Sequence, residues 1–431
     1  MDTNICSLKN GIKAISNDIG ILYHIIRASR LPLDPYIINY SVWPCNTEFL
    51  GQEKYNGRSS GCGYEWEDAI LTTIGETVER YAPVFYDPGE FILSSFKNLK
   101  EHAIPPVEYA LFHDKQFIDN KYIINKFTND IEVSWVPTID LTNGKKTFTP
   151  AQFIYLPFTR DNNWITCNTS TGLAEHTNYY KAILNGLYEC IERDSFVITW
   201  MQNIVSPKII LSREIEEYIN DHFPGKYEFH FFDITYDLEF PTVFGLCIGE
   251  ADYGKFIAVG SSTRATIGDA LKKVILEIGQ TAPYFRYLLG EKKDWIPSND
   301  FTELDDFENH SIFYLKRLDL WGVFEKWIKA KETKKINFNE TQVLDDQNQI
   351  IEILKMFKEK NYNVLFKDIT TPDIRQIGYY SIKIFIPQLL QMSGTYSLYF
   401  LGGDRLYSVP EIMGYKSHNF ENLNHYPHPF P

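Results

Sequence analysis

Three stretches of this chain repeat one local pattern: a polar Ser/Thr/Gly turn, then a helix carrying paired polar residues on one face. In the central stretch, Asn168 to Trp200, the turn Thr169-Ser170-Thr171-Gly172 leaves backbone N–H groups free. Ile183, Leu184, Leu187 and Ile191 then recur at helical spacing. Glu189 and Glu192 sit three apart, so both carboxylates share a face, with Arg193 and Asp194 directly after. Upstream, Arg58-Ser59-Ser60-Gly61-Cys62-Gly63 reads as a turn before a helix from Glu65 to Tyr81, apolar at Ala69, Ile70, Ile74 and Val78. Glu76, Glu79 and Arg80 fall in equivalent places on it. Downstream, the turn Gly260-Ser261-Ser262-Thr263 precedes a helix from Ile267 to about Leu289, with Lys273, Glu277 and Gln280 on one face. One isolated Glu-x-x-Glu-Arg is ordinarily a solvated ion pair. Three, each after such a turn, suit a hard divalent cation held by carboxylates and phosphate oxygens, with Arg80, Arg193 or Lys273 neutralising phosphate charge.

The bulk numbers exclude several classes. With 42 basic and 56 acidic residues the formal charge is -14, which argues against nonspecific nucleic-acid binding and against an anionic membrane surface. No apolar run reaches the length of a membrane span, and Met1 to Ser7 lacks a basic and an apolar region of the signal-peptide kind. Cys6, Cys45, Cys62, Cys167, Cys190 and Cys247 form no CxxC pair, so neither a thiolate metal site nor a disulfide framework is expected. The expectation is a reduced cytoplasmic protein.

The remaining periodicities give a mixed α/β chain. Strands are expected at Tyr36–Val42, Ile131–Val136, Ile209–Leu211, Tyr227–Ile234, Thr242–Ile248, Phe256–Val259, Tyr362–Ile369 and Ile377–Ile386. Helices are expected at Ile21–Ala28, Ser95–His102, Lys326–Lys335 and Asn348–Lys360. Residues 1–57 form an N-terminal segment, residues 58–431 the main domain, and 83–165 an insert between its first two units. The tail Pro427-His428-Pro429-Phe430-Pro431 is expected to be stiff and extended, with His425 and His428 in solvent.

Two familiar motifs fail on context. Gly249-Glu250-Ala251-Asp252-Tyr253-Gly254-Lys255 matches a Walker A up to its lysine, but Phe256 replaces the hydroxyl and the setting is a hairpin. Gly57-Arg58-Ser59-Ser60-Gly61 fits a nucleophile elbow, yet no core strand is evident before it and no His/Asp pair stands out.

Ser60-Gly61-Cys62-Gly63 with Glu76-x-x-Glu79-Arg80, Thr169 to Ala174 with Glu189-x-x-Glu192-Arg193-Asp194, and Lys273-x-x-x-Glu277-x-x-Gln280 resemble the three signature segments of YcaO-domain proteins. The Pro-x-Pro-x-Pro tail resembles that of the azoline-forming cyclodehydratases of thiazole/oxazole-modified microcin and bacteriocin biosynthesis. The resemblance implies the YcaO fold: mixed sheets with packed helices around an ATP site without a P-loop. It implies ATP and Mg2+ as cofactors, and a reaction in which Cys, Ser or Thr of a ribosomal precursor peptide attacks the preceding amide, whose oxygen leaves as phosphate. By position, Glu76, Glu79, Glu189, Glu192 and Glu277 would hold metal, and Ser60, Arg80, Ser170, Thr177, Arg193, Lys273 and Gln280 would bind ATP. Arg193 and the Pro431 carboxylate would be catalytic. The resemblance further implies a separate leader-binding partner similar to ubiquitin-activating enzymes, a flavin-dependent azoline dehydrogenase in many members, and a homodimer. Members often have Lys where Cys62 stands, Gly-Asn at His176-Thr177, a carboxylate at Lys181 and Arg at Lys273. A non-catalytic docking scaffold and a thioamide-forming enzyme are the alternatives.

Overall fold

The computed structural model describes residues 3–50, 53–55, 57–118, 124–336, 338 and 344–431. Its strands, in chain order, are β1 (Leu22–Arg27), β2 (Ile38–Pro44), β3 (Ser59–Gly63), β4 (Ile92–Ser94), β5 (Val133–Asp140), β6 (Lys145–Pro150) and β7 (Leu173–His176). They continue with β8 (Lys208–Ile210), β9 (Tyr227–Asp233), β10 (Thr242–Ala251), β11 (Gly254–Thr263), β12 (Thr333–Lys335), β13 (Leu365–Asp368) and β14 (Tyr380–Phe385). Three sheets result, ordered β1-β2-β3, β11-β10-β9-β8-β12 and β4-β5-β13-β14-β7, with β6 on β5.

Each sheet ends in an edge strand, β3, β11 or β7, that feeds directly into a long helix. The first helix is Trp66–Tyr81, the central helix Tyr179–Met201 and the third helix Ile267–Glu291. Side-chain caps start the latter two: Asn178 accepts from the Lys181 N–H and Thr266 from the Asp269 N–H. The central helix is buried along most of its length, against β14 and β7 on one side and a Trp200–Trp327 stack on the other. Residues 1–57 and 83–165 share sheets with the rest: β1 and β2 pair on to β3, and β4 to β6 lie in the sheet that ends at β7.

Five expectations change. Ile21–Ala28 is strand β1: a short β-branched run has ambiguous periodicity, and pairing with β2 decides it. Ser59–Gly63, the whole of β3, and Gly260–Thr263, the end of β11, are extended strand instead of turns, the latter paired in register with Thr242 to Gly245. Lys326–Lys335 gives only one helical turn, Glu325–Ile328, after which Thr333–Lys335 pairs in parallel with β8. The exposed lysines of β12 occupy a sheet edge, where charge discourages further pairing. The tail is extended as expected, but His428 is buried: its Nε2 donates to the Ser393 carbonyl at 2.9 Å and its ring stacks on His310 at 4.1 Å. The expected hairpin turns at Ala251–Gly254, and the helix expected over Asn348–Lys360 runs over Asp346–Glu359. No helix among the described residues is long and apolar enough to cross a membrane.

Candidate active site

The three strand–helix units are tied internally and to one another by side chains that bond the edge strands and the turn before β7. Glu76 Oε2 accepts from the Ser60 N–H at 3.1 Å, and Ser60 Oγ accepts from Gln280 Nε2 at 2.9 Å, joining β3 to the first and third helices. Glu189 Oε2 accepts from the Gly172 N–H at 2.8 Å. Glu192 Oε2 reaches the Thr263 N–H of β11 at 3.2 Å, so the central helix is tied to a second sheet. Gly172 has φ +81, and a Cβ there would collide with the Ile384 carbonyl. Beneath the same turn, the buried Lys383 donates to the Thr171 carbonyl at 2.7 Å. Burial lowers Lys383 to about 8, opposed by Cys190, Glu189 and Glu79 nearby.

Between these walls lies a cavity of about 210 Å³. Glu79, Glu189, Glu192 and Glu277 line it with the cations Arg193 and Lys273. Arg80 pairs with Glu79 at 3.2 Å, Arg193 with Glu189 at 3.6 Å and Lys273 with Glu277 at 3.4 Å. Glu76, Arg80, Ser60 and Gln280 stand behind the lining as its support. Ser170 and Thr177 do not line the cavity. Pro431 is exposed next to Phe430, whose ring lies 4.4 Å from the Arg193 guanidinium.

The electrostatics are those of carboxylates crowded out of water. Burial raises Glu192 to about 8, Glu277 adding to it and Arg193 and Arg264 opposing it. Burial raises Glu175 to about 8, with Glu76 adding. Glu79 is held well above the carboxylate range by burial, which outweighs Arg80, with Glu189 and Glu175 adding. Arg80 stays charged despite burial because Glu79 and Glu76 flank it. Cys62, where family members often carry Lys, is a buried thiol pushed up to about 12 by burial. Among the described residues no three His, Cys, Asp or Glu are grouped as a ready cation cage. The carboxylates face one another across a cavity, and mutual repulsion of this kind is relieved by a cation with oxygen preference, so the donor set fits Mg2+.

Four residues here lacked a signal in the turn–helix pattern: Glu175, Asn185, Arg264 and Lys383. Asn185 lies four before Glu189 on the same helix face and was findable by spacing. Lys383, a lone charge in the apolar strand Ile382 to Phe385, was also visible in principle. Arg264 and Glu175 follow from the strands alone. Arg264, just past β11, brings to the cavity a positive charge that Cys62 does not.

A family model described as YcaO cyclodehydratase, ATP- and Mg2+-binding, matches residues 60–390, a span that takes in all three units. The chain belongs to the YcaO family. No curated protein matches it by sequence. Among solved structures, a heterocyclase in complex with substrate and cofactor matches 100% of this YcaO chain with a TM-score of 0.78 at 18% identity; the chain spans 57% of that protein's length. YcaO from Methanopyrus kandleri bound with AMPPCP and Mg2+ matches with a TM-score of 0.59 at 15% identity, over 86% of each chain. The E. coli microcin synthetase McbBCD complex matches with a TM-score of 0.62 at 17% identity, over 94% of this chain and 96% of that one. At these identities the likeness is one of fold, and the fold is the mixed α/β one expected. ATP and Mg2+, the cofactors expected from the motifs, are those of the family.

Proposed function

We propose that this YcaO protein is an ATP-dependent cyclodehydratase that closes Cys, Ser or Thr of a ribosomal precursor peptide on to the preceding amide, giving thiazolines or (methyl)oxazolines. The observation that carries the reading is one cavity into which three separate strand–helix units deliver carboxylates and cations. Glu79, Glu189, Glu192 and Glu277 would hold the metal, and Glu76 fixes that wall through Ser60. Arg193, Lys273 and Arg264, which line the cavity, would neutralise the phosphates, with Arg80, Ser60 and Gln280 supporting that wall. Ser170 and Thr177, expected at the nucleotide, lie outside this cavity and take no part in the assignment. ATP with Mg2+, when bound, supplies the phosphoryl group that makes the amide oxygen a leaving group. The chain itself positions the peptide's amide and neutralises the charge that develops there. The tail seats Phe430 against Arg193, which supports a role for the tail and its terminal Pro431 in shaping the site. On this reading the protein works as a homodimer with a separate leader-binding protein, and a flavin-dependent dehydrogenase oxidises the product rings.

The test is incubation with ATP, Mg2+, partner protein and cognate peptide, read by mass spectrometry. Each ring formed removes one water. Phe430→Ala, or removal of Pro429 to Pro431, is expected to slow cyclisation; an unchanged rate overturns the role of the tail. The docking-scaffold alternative draws on the uncharged Cys62 and predicts no ATP binding in a calorimetric titration.

A further inference from the structure

Among the described residues, every carboxylate that lines the cavity has a partner inside the protein except one. Glu79, Glu189 and Glu277 pair with Arg80, Arg193 and Lys273, and Glu192 accepts from the Thr263 N–H. Glu175 has no hydrogen bond or ion pair to its carboxylate among the described residues, yet it lines the cavity from β7, whose edge lies beside the first helix. The first helix makes room for it. Gly75 sits one residue before Glu76, and a Cβ at that position would run into the Glu175 carboxylate. Glycine in a helix interior costs about 1 kcal/mol relative to alanine, so the space it opens has a use.

We propose that Glu175 is a ligand of the bound Mg2+, which makes β7 a fourth supplier of oxygen donors beside the three helices. The proposal rests on the reading of this cavity as the Mg2+-ATP site. Its physical basis is the inventory of lone pairs. Carboxylates engaged with Arg, Lys or N–H groups must divide their oxygens between those partners and a metal. Glu175 has both oxygens uncommitted among the described residues and stands half-buried in the cavity wall, so a hard cation is the partner that its setting lacks. A carboxylate kept only for packing would be replaced by its amide at no loss to metal binding.

The experiment is a calorimetric titration of a non-hydrolysable ATP analogue over a Mg2+ series, with EDTA controls, for wild type, Glu175→Gln and Gly75→Ala. Mn2+ in place of Mg2+, read by electron paramagnetic resonance, gives a direct count of bound cation. The expected result is at least a 10-fold rise in the Mg2+ needed for half-maximal binding in Glu175→Gln, on the order of the loss from altering a metal's ligand set. Analogue binding in EDTA is unchanged, and the thermal midpoint of the ligand-free protein does not fall. Gly75→Ala, which displaces the carboxylate without removing it, shifts the Mg2+ requirement in the same direction. If wild type binds Mg2+-nucleotide and Glu175→Gln does so at the same Mg2+ concentration, the assignment of Glu175 is overturned and the site stands. A wild-type chain that binds no Mg2+-nucleotide sinks the site reading itself.

Discussion

Gly172 shows how much a single position carries at this site. Its N–H reaches Glu189, its φ of +81 turns the chain into β7, and its bare Cα lets the Ile384 carbonyl approach. Gly172→Ala therefore meets a left-handed backbone and a collision together, and is expected to lose ~2 kcal/mol or more in a urea-unfolding experiment. Lys383 works from below on the same turn through the Thr171 carbonyl. Sequence periodicity found the glycine, because a Ser/Thr/Gly cluster marks a turn, but it passed over Lys383, because β-strand patterning scores a buried lysine as an exception. The same limit hid Glu175 and Arg264. Both hang from strand ends, and a reading built on helix faces has no register for them.

At the scale of elements, the three helices were legible from spacing to within a few residues, since 16 to 25 residues of amphipathic pattern leave little ambiguity. The segments before them were not. Ser59–Gly63 and Gly260–Thr263 have turn composition, and only pairing with distant β2 and β10 makes them strands. Asp194, next in line after Glu192-Arg193, turns away from the cavity. It grips Arg405 with bonds of 2.7 Å to 3.1 Å, and Asp237 holds the other side of that guanidinium. Removing one partner of a buried pair leaves a bare charge, so Asp194→Ala is expected to cost about 3–5 kcal/mol, measured by chemical denaturation. The tail makes a different prediction. His310 is lowered to about 4, mainly by burial, and His428 lies well below the ordinary range, by burial and then His310. Between pH 6.5 and about 4 the unfolded chain takes up protons that the folded chain refuses, so stability falls with falling pH across that window. Urea midpoints measured from pH 7 to pH 4 should show this slope, and it should flatten in His310→Asn.

For the molecule as a whole, the placing of three sheet edges around one cavity decides the architecture. Unpaired edges invite association with other chains, and here helices and a cavity cover the ends at β3, β7 and β11. No local signal in the chain announces this, because the walls of the cavity lie at residues 79, 173–193 and 264–277, far apart along the sequence. The repetition of the pattern hinted that the three belong together, and long-range pairing determines how. A ligand that spans the cavity touches residues of all three strand–helix units at once. Mg2+ with a non-hydrolysable ATP analogue at 100 times its dissociation constant should therefore raise unfolding free energy by about 2.7 kcal/mol, seen as a shift in thermal midpoint. Glu192, which leaves its own helix to accept from the Thr263 N–H of another sheet, has a consequence of a different kind. It makes the pocket a record of how the chain was assembled: a misregistered β10–β11 hairpin cannot present that N–H, so on the proposed reading of the cavity a molecule folded wrongly there is expected to bind no nucleotide, and occupancy becomes a check on its own construction.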